Sequence, residues 1–261
     1  MDKETIGIIS GKGGVGKSTI AVNLATLFAS SDYDNLLIDG DTSNPSVGLH
    51  LGIWQHSYGL QDVLEGKITP EEAIVLHPAT GIRVIPSSLR YVKDVSMKNL
   101  SRVLDSIKAY QCITIDSPPG LSSEVEDIME ACSKLIVVTT PDVPSVTSAT
   151  KIVDLAETHR IPVAGLVVNR IVNKKYELHM QEIESICNTR IIGKIPEDFR
   201  VPESIAVKIP LTLYSPKSPA STAFNNLATE ICGKRIRTLR ATREGLLGKI
   251  INFFRSVLGG S

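Results

Sequence analysis

The sequence predicts an α/β fold in which a mostly parallel central sheet is flanked by helices. Short apolar segments rich in β-branched residues recur along the chain, as at residues 5–9, 35–39 and 112–116. Segments with a helical spacing of apolar residues lie between them, and the strand segments are apolar throughout rather than alternating. Strands buried on both faces need helices on both sides of the sheet, so this pattern favours parallel strands joined by crossover helices.

A glycine-rich loop at residues 10–19 follows the first strand directly. Gly11, four residues, and then Gly16-Lys17-Ser18 fit the G-x-x-x-x-G-K-[ST] pattern of P-loop NTPases. Glycines let several backbone N–H groups point into one concavity, and residues 19–30 are predicted to form a helix whose N-terminus faces the anion. We expect Lys17 to reach the β- and γ-phosphates and the Ser18 hydroxyl to bind Mg²⁺. The predicted phosphate-binding residues are Gly11, Lys12, Gly13, Gly14, Val15, Gly16, Lys17, Ser18 and Thr19.

Composition indicates the compartment and excludes some classes of protein. The 28 basic and 28 acidic residues cancel, so the overall charge gives no support for a DNA-binding protein. The four cysteines are widely spaced with no C-x-x-C pair, which is typical of reduced thiols in the cytoplasm and offers no metal or cluster site. No signal peptide precedes the first strand, and no run reaches the ~18–20 apolar residues of a membrane-spanning helix. These features predict a cytoplasmic protein.

Two of the strand segments end in carboxylates. Asp39 ends one strand, and Asp41 follows on the same side because side chains alternate along a strand. Carboxylates beside a triphosphate repel it unless Mg²⁺ or an ordered water lies between them. This favours one carboxylate near the metal and one near the attacking water; a solvated turn is the alternative. Asp116 ends a later strand and is expected to hold Mg²⁺, usually through water.

The second half of the chain continues the alternation of strands and helices. Strands are predicted at residues 135–141 and 163–170, with a helix at 143–158 between them. Asn169 offers a carboxamide that can pair with the donor–acceptor edge of adenine, although a turn asparagine is the alternative. Prolines crowd residues 196–219, as they would in a surface linker, but interleaved apolar residues favour a packed segment.

The string from Lys12 to Thr19 closely resembles the deviant phosphate loop of the MinD/ParA family of ATPases, which are SIMIBI-type P-loop NTPases. In that family the early lysine crosses a dimer interface to contact the phosphates of the ATP held by the partner subunit. Residues 36–45 resemble the switch I segment of the family, and residues 116–120 resemble its Walker B and switch II segments. The resemblance implies that Asp41 orients the hydrolytic water and that Asp39 supports Mg²⁺ through water. The implied catalytic residues are Lys12, Lys17 and Asp41, and the implied metal site is Ser18, Asp39 and Asp116.

The same resemblance covers nearly the whole chain and extends to the base-binding side. The family contacts the adenine base at the position of Asn169, and residues 196–198 resemble its adenine-side loop. It therefore implies base contacts from Asn169, Arg170, Pro196, Glu197 and Asp198. It also supports one ATPase domain at residues 1–237.

The C-terminal tail is predicted to be a linker at residues 238–245 and an amphipathic helix at 246–258. On a helical wheel one continuous arc is apolar and the remainder is polar or basic. The helix is about 20 Å long, too short to span a bilayer, and suits a membrane interface. Docking on its own domain, or in the groove of a partner, are the alternatives. The predicted membrane-contacting residues are Leu246, Leu247, Ile250, Ile251, Phe253, Phe254, Val257 and Leu258.

A C-terminal helix of this kind is similar to that of the MinD branch of the family. The resemblance implies an ATPase that dimerises on ATP with Mg²⁺ and binds an anionic membrane surface, peripherally on the inner face of the cell membrane. It implies a role in positioning cell division, with an unidentified activator or cargo protein. A DNA-segregation ATPase of the ParA type is the main alternative; a flagellar or archaellar placement ATPase and a metallocluster carrier are others.

Overall fold

The computed structural model describes residues 3–31, 33–90 and 95–233. Its strands are β1 Glu4–Ile9, β2 Asn35–Asp39, β3 Val75–Leu76, β4 Arg83–Ile85, β5 Cys112–Asp116, β6 Lys134–Thr139, β7 Val163–Ile171 and β8 Ile191–Pro196. Its helices are α1 Lys17–Ala29, α2 Val47–Leu51, α3 Leu60–Leu64, α4 Pro70–Ala73, α5 Leu100–Ser106, α6 Ser123–Glu130, α7 Val143–Thr158, α8 Met180–Cys187, α9 Arg200–Ala206, α10 Leu211–Tyr214 and α11 Pro219–Cys232. A short 3₁₀ turn, Met97–Asn99, leads into α5.

The strands form one eight-stranded sheet in the order β3-β4-β2-β5-β1-β6-β7-β8. Every pairing is parallel except that of β3 with β4. The glycine-rich loop leaves the carboxyl end of β1, which lies between β5 and β6. Ligands bind at the carboxyl ends of the strands in open α/β sheets, so this order places the loop at the centre of that edge. The predicted α/β fold is confirmed.

Each face of the sheet is covered by its own apolar core. Ile6, Ile8 and Leu37 pack with α1 and α11 on one face. Leu36 and Ile38 pack with α5, α6 and α7 on the other. Because neighbouring side chains on a strand point to opposite faces, both of these cores draw on the same strands, which is why the strand segments are continuously apolar.

Helix α1 begins two residues before the predicted start, at Lys17 rather than residue 19, and ends at Ala29. Gly16 takes the N-cap position with φ +96°, so the chain turns into the helix immediately after the loop. Lys17 and Ser18 therefore stand in the first helical turn. Helix α7 covers the predicted residues 143–158.

The proline-rich stretch is packed against the domain. It forms α9 and α10, and its residues Ile209, Leu211 and Leu213 are buried. The prediction of a packed segment is confirmed over the described residues. No helix among the described residues is long and apolar enough to cross a bilayer.

The predictions for the C-terminal tail lie outside the described residues. They concern the domain end at residue 237, the linker 238–245 and the amphipathic helix 246–258 with its eight membrane-contacting residues. These predictions stay as the sequence states them.

Candidate functional site

The glycine-rich loop is shaped by left-handed backbone positions and by close neighbours. Gly14 and Gly16 have φ of +80° and +96°, which other residues rarely adopt. A Cβ at Gly11 would lie 2.4 Å from the backbone oxygen of Ser148, and one at Gly16 would lie 2.3 Å from Asn169 Nδ2. Glycine is thus required by space at position 11, and by both space and conformation at position 16.

Asn169 holds the loop from the end of β7. Its Nδ2 donates a hydrogen bond to the Val15 carbonyl oxygen at 2.7 Å, and the side chain is buried. A carboxamide that is already anchored on the loop has its orientation set before any ligand arrives. The structure thus gives Asn169 a role in shaping the loop, and its predicted contact with a base stays a prediction.

We expect Gly16→Ala to weaken nucleotide binding by about tenfold or more, since a left-handed alanine costs roughly 1–2 kcal/mol and its Cβ displaces the Asn169 amide that supports Val15. Calorimetric titration with ADP measures the effect. Gly66→Ala is the matched control, because Gly66 has φ +72° with nothing within 4 Å of an added Cβ. It should lower the free energy of unfolding but leave ADP affinity unchanged. Wild-type affinity in Gly16→Ala would contradict this account of the loop.

Lys17 is a buried cation among carboxylates. Its side chain is only 7% exposed, at the base of the loop. Burial lowers the pKa of its ammonium group, and the charges of Asp116 and Asp41 oppose that shift. A phosphate would therefore meet a cation that is positioned in advance and poorly hydrated, which strengthens the attraction.

Asp39 and Asp116 lie side by side at the carboxyl edge of the sheet. They are direct partners in the parallel register of β2 and β5, and both are fully buried. Asp39 Oδ2 accepts hydrogen bonds from the backbone N–H groups of Ser46 and Val47, at 3.1 and 3.0 Å. Burial raises the pKa of both carboxyl groups, and the repulsion between Asp39 and Asp116 raises that of Asp39 further.

These carboxylates fit a divalent cation. Asp39 Oδ1 and both carboxylate oxygens of Asp116 are buried without a hydrogen-bond partner among the described residues. The first turn of α1 brings Ser18 into the same cluster, where its hydroxyl opposes the rise in the pKa of Asp116. Mg²⁺ prefers oxygen ligands and usually keeps several waters, so such a donor set suits it.

Asp41 lies beyond the end of β2 and is 6% exposed. Its Oδ1 accepts hydrogen bonds from Ser43 Oγ and from the backbone N–H of Asn44, both at 2.8 Å. Its charge acts on both Lys17 and Asp116. The structure therefore brings the predicted residues Lys17, Ser18, Asp39, Asp41 and Asp116 together.

Lys12 lies on the other side of the loop, toward β6 and β7. Its ammonium nitrogen is 3.7 Å from Asp142 Oδ1, and both side chains are about half exposed. The two residues line an open cleft of about 530 Å³, together with Arg170 and Tyr176. An exposed pair of this kind contributes little to stability, so the lysine is easily released to another anion.

A second pocket of about 170 Å³ lies on the β7–β8 side of the loop. Its lining brings the predicted base-side residues together with the start of α1: Gly16, Thr19, Asn169, Arg170, Pro196, Glu197 and Asp198. Asp198 is engaged within the protein, since its two carboxylate oxygens accept from the N–H groups of Arg200 and Ala220. Burial raises the pKa of the Asp198 carboxyl group, but these hydrogen bonds outweigh it and hold that pKa below its usual range. Asp198 therefore shapes the wall of the pocket.

The sequence did not single out two residues of the site. Asp142 caps α7 by accepting from the Ser145 N–H at 3.0 Å, and an aspartate shortly before Pro144 at a helix start is a recognisable N-cap pattern. Ser46 donates to Ser18 Oγ at 2.6 Å. No local pattern could have revealed that contact, because it joins two distant segments.

The chain is similar to known nucleotide-binding proteins. The family model ParA, with the description NUBPL iron-transfer P-loop NTPase, matches residues 2–232. An uncharacterized ATP-binding protein of Methanocaldococcus jannaschii is 33% identical over 250 residues, which cover 94% of this chain and 94% of that protein.

Two solved structures share the fold. The septum site-determining protein MinD of Pyrococcus horikoshii, complexed with Mg-ADP, superposes with a TM-score of 0.84 at 28% identity, covering 88% of this chain and 96% of that one. A chain of the MinC:MinD cell division protein complex of Aquifex aeolicus superposes with a TM-score of 0.80 at 28% identity, covering 91% of this chain and 98% of that one.

Proposed function

The chain belongs to the ParA family of P-loop NTPases, and we propose that within it this protein is an ATPase of the MinD type. In this proposal it binds ATP with Mg²⁺, dimerises and hydrolyses ATP to ADP and phosphate. It cycles on and off the inner face of the cell membrane and so helps to position cell division or a related apparatus. The observation that carries the proposal is the grouping of Lys17, Ser18 and three carboxylates around one phosphate loop.

Binding of ATP and Mg²⁺ is supported by the chemistry of the donor groups. The loop offers backbone N–H groups and the buried Lys17 for the phosphates, and the orphaned oxygens of Asp39 and Asp116 suit a cation. The similar protein from Pyrococcus horikoshii is complexed with Mg-ADP. When bound, Mg²⁺ neutralises charge that develops on the phosphate oxygens.

The chain's own residues account for the remaining steps of hydrolysis. Lys17 and the loop hold the β- and γ-phosphates in place. Asp41 orients a water and accepts its proton as the water oxygen bonds to the γ-phosphorus, while the bond from that phosphorus to the ADP oxygen breaks. Lys12 of one subunit contacts the phosphates held by its partner, so the bound nucleotide joins the two subunits.

Membrane attachment is assigned to the predicted helix at residues 246–258. One short amphipathic helix of this kind binds an anionic surface only marginally. Two helices on one dimer gain effective concentration, which makes attachment depend on ATP. Hydrolysis would dissolve the dimer and release the protein from the surface.

We expect the full chain to co-sediment with anionic liposomes in ATP but not in ADP, since only the ATP-bound dimer presents two helices. A chain ending at residue 245 should stay in the supernatant in both nucleotides. Phe254→Glu on the predicted apolar face should release the protein, whereas Asn252→Glu, which adds the same charge to the polar face, should reduce binding only modestly. Equal pelleting of the full and shortened chains would refute membrane attachment through the tail.

Two alternative functions can be distinguished from the proposed one by similar measurements. A DNA-segregation ATPase would retain DNA in an ATP- and salt-dependent way, and the shortened chain would do so equally. Iron transfer in a metallocluster carrier uses paired cysteines to hold a cluster between subunits, whereas the four cysteines of this chain are widely spaced with no C-x-x-C pair, so we favour the ATPase of the MinD type. Iron in the purified protein would contradict that choice.

A further inference from the structure

Ser46 occupies the N-cap position of α2, yet its hydroxyl does not cap the helix. A serine there ordinarily accepts a hydrogen bond from a backbone N–H two or three residues later. Here the hydroxyl instead donates to Ser18 Oγ at 2.6 Å, across a separation of 28 residues. The side chain is thus directed away from its own helix and toward the phosphate loop.

The helix start is held by another residue. Asp39 Oδ2 accepts from the N–H groups of Ser46 and Val47, so the first donors of α2 are satisfied from outside the helix. The backbone of Ser46 is therefore fixed by Asp39, and its hydroxyl is not needed for α2 to form. Its contact with Ser18 needs a different explanation.

A cation at Ser18 changes what the two hydroxyls can do. A serine hydroxyl has one proton and two lone pairs. Once the Ser18 oxygen gives a lone pair to a cation, its proton becomes a better donor, and Ser46 Oγ is an acceptor within reach. The proton of Ser46 then needs an acceptor of its own. Asp116 belongs to the same cluster, and the hydroxyls of Ser18 and Ser46 both lower the pKa of its carboxyl group.

We propose that Ser46 is a positioning residue that couples Mg²⁺ at Ser18 to the segment at residues 41–46. This inference rests on the proposed function, because it assumes a nucleotide site that uses Mg²⁺. The segment begins with Asp41, the residue assigned to the hydrolytic water. A cation held at Ser18 would hold the far end of that segment more firmly through Ser46, and so couple metal binding to the position of Asp41.

The chain carries a native reporter for this coupling. Trp54 is its single tryptophan and follows α2, whose end is closed by the bond from Ile53 N–H to Gly48 O at 2.8 Å. The indole is 43% exposed, and Lys208 Nζ lies 5.3 Å from its ring centroid. We expect a change at the start of α2 to alter these surroundings and therefore the fluorescence of Trp54.

The experiment titrates Mg²⁺ into the full chain saturated with ADP, while Trp54 fluorescence is followed. Binding of Mn²⁺ by electron paramagnetic resonance gives an independent measure of the metal. We expect Ser46→Ala and Ser46→Gly to raise the half-saturating metal concentration about tenfold, as is usual when a residue behind a metal ligand is removed. Ser46→Thr, which keeps the hydroxyl, should behave as wild type.

Two further measurements make the result specific. Ser106→Ala removes an exposed serine hydroxyl on α5 that bonds the Val103 carbonyl oxygen, outside the segment at residues 41–46, so it should leave the half-saturating metal concentration unchanged. ADP affinity in EDTA should be the same in all variants. Glycine is well tolerated at an N-cap, so Ser46→Gly decides the matter if Ser46→Ala unfolds.

If Ser46 variants that bind ADP normally have an unchanged half-saturating metal concentration, this proposal is overturned and the proposed function is not. Failure of the wild-type chain to bind ADP would overturn the proposed function, and this proposal with it.

Discussion

Asp41→Asn should lower the rate of ATP hydrolysis about a hundredfold or more, the usual contribution of a group that handles the proton of the attacking water. Asparagine has nearly the same shape, and its oxygen can still accept the bonds from Ser43 Oγ and the Asn44 N–H. The segment should therefore keep its structure while it loses the negative charge. That charge faces a triphosphate, so its removal should leave ATP affinity unchanged or slightly higher.

Phosphate release and a separate ATP-binding titration measure these two effects. Asp34→Asn is the matched control, because Asp34 is exposed just before β2, at the opposite end of the strand from Asp39. It should change neither quantity. A turnover within threefold of wild type in Asp41→Asn would remove Asp41 from the proposed mechanism and leave nucleotide binding intact.

Lys12→Ala should abolish ATP-dependent dimerisation. It should also reduce turnover on the order of a thousandfold, because phosphoryl transfer then loses a cation supplied by the partner subunit. Affinity of the single chain for ADP should be unchanged, because Lys17 and not Lys12 is the buried cation of the chain's own loop. Light scattering after gel filtration in ATP measures the dimer. Lys151→Ala, an exposed lysine on α7, is the control.

Mixing the two variants tests whether Lys12 acts across the interface. In a mixed dimer, the Lys12→Ala subunit keeps its own Asp41 and receives Lys12 from the Asp41→Asn subunit. One complete site therefore forms, and turnover should recover on mixing. If Lys12 acts within its own chain, neither site is complete and the mixture stays inactive.

Much of the fold and part of the site follow from local sequence. The apolar strand segments predict the parallel sheet because a sheet covered on both faces cannot alternate polar and apolar residues. The phosphate loop is predictable because its glycines and its Gly-Lys-Ser end must be contiguous to surround one anion. The start of α1 at Lys17 was missed by two residues, since the loop and the helix join at Gly16 without any intervening turn.

The relations between segments were not predictable in this way. Asp39 and Asp116 are far apart in the chain, and only the register of β2 with β5 makes them neighbours with unpartnered oxygens. Asn169 was predicted from its side-chain chemistry, but its bond to Val15 depends on where β7 ends relative to the loop. Asp198 matched a loop pattern, yet its carboxylate is engaged by Arg200 and Ala220.

The sequence by itself therefore determined the class of fold and the pattern of the phosphate loop, and it predicted the residues of a metal site. These depend on short-range rules, namely periodicity along a strand and the contiguous backbone that one phosphate requires. Only the tertiary structure decided that Asp39 and Asp116 lie side by side and that Ser46 reaches Ser18. Such contacts are set by strand order and register, which join residues that no local pattern connects.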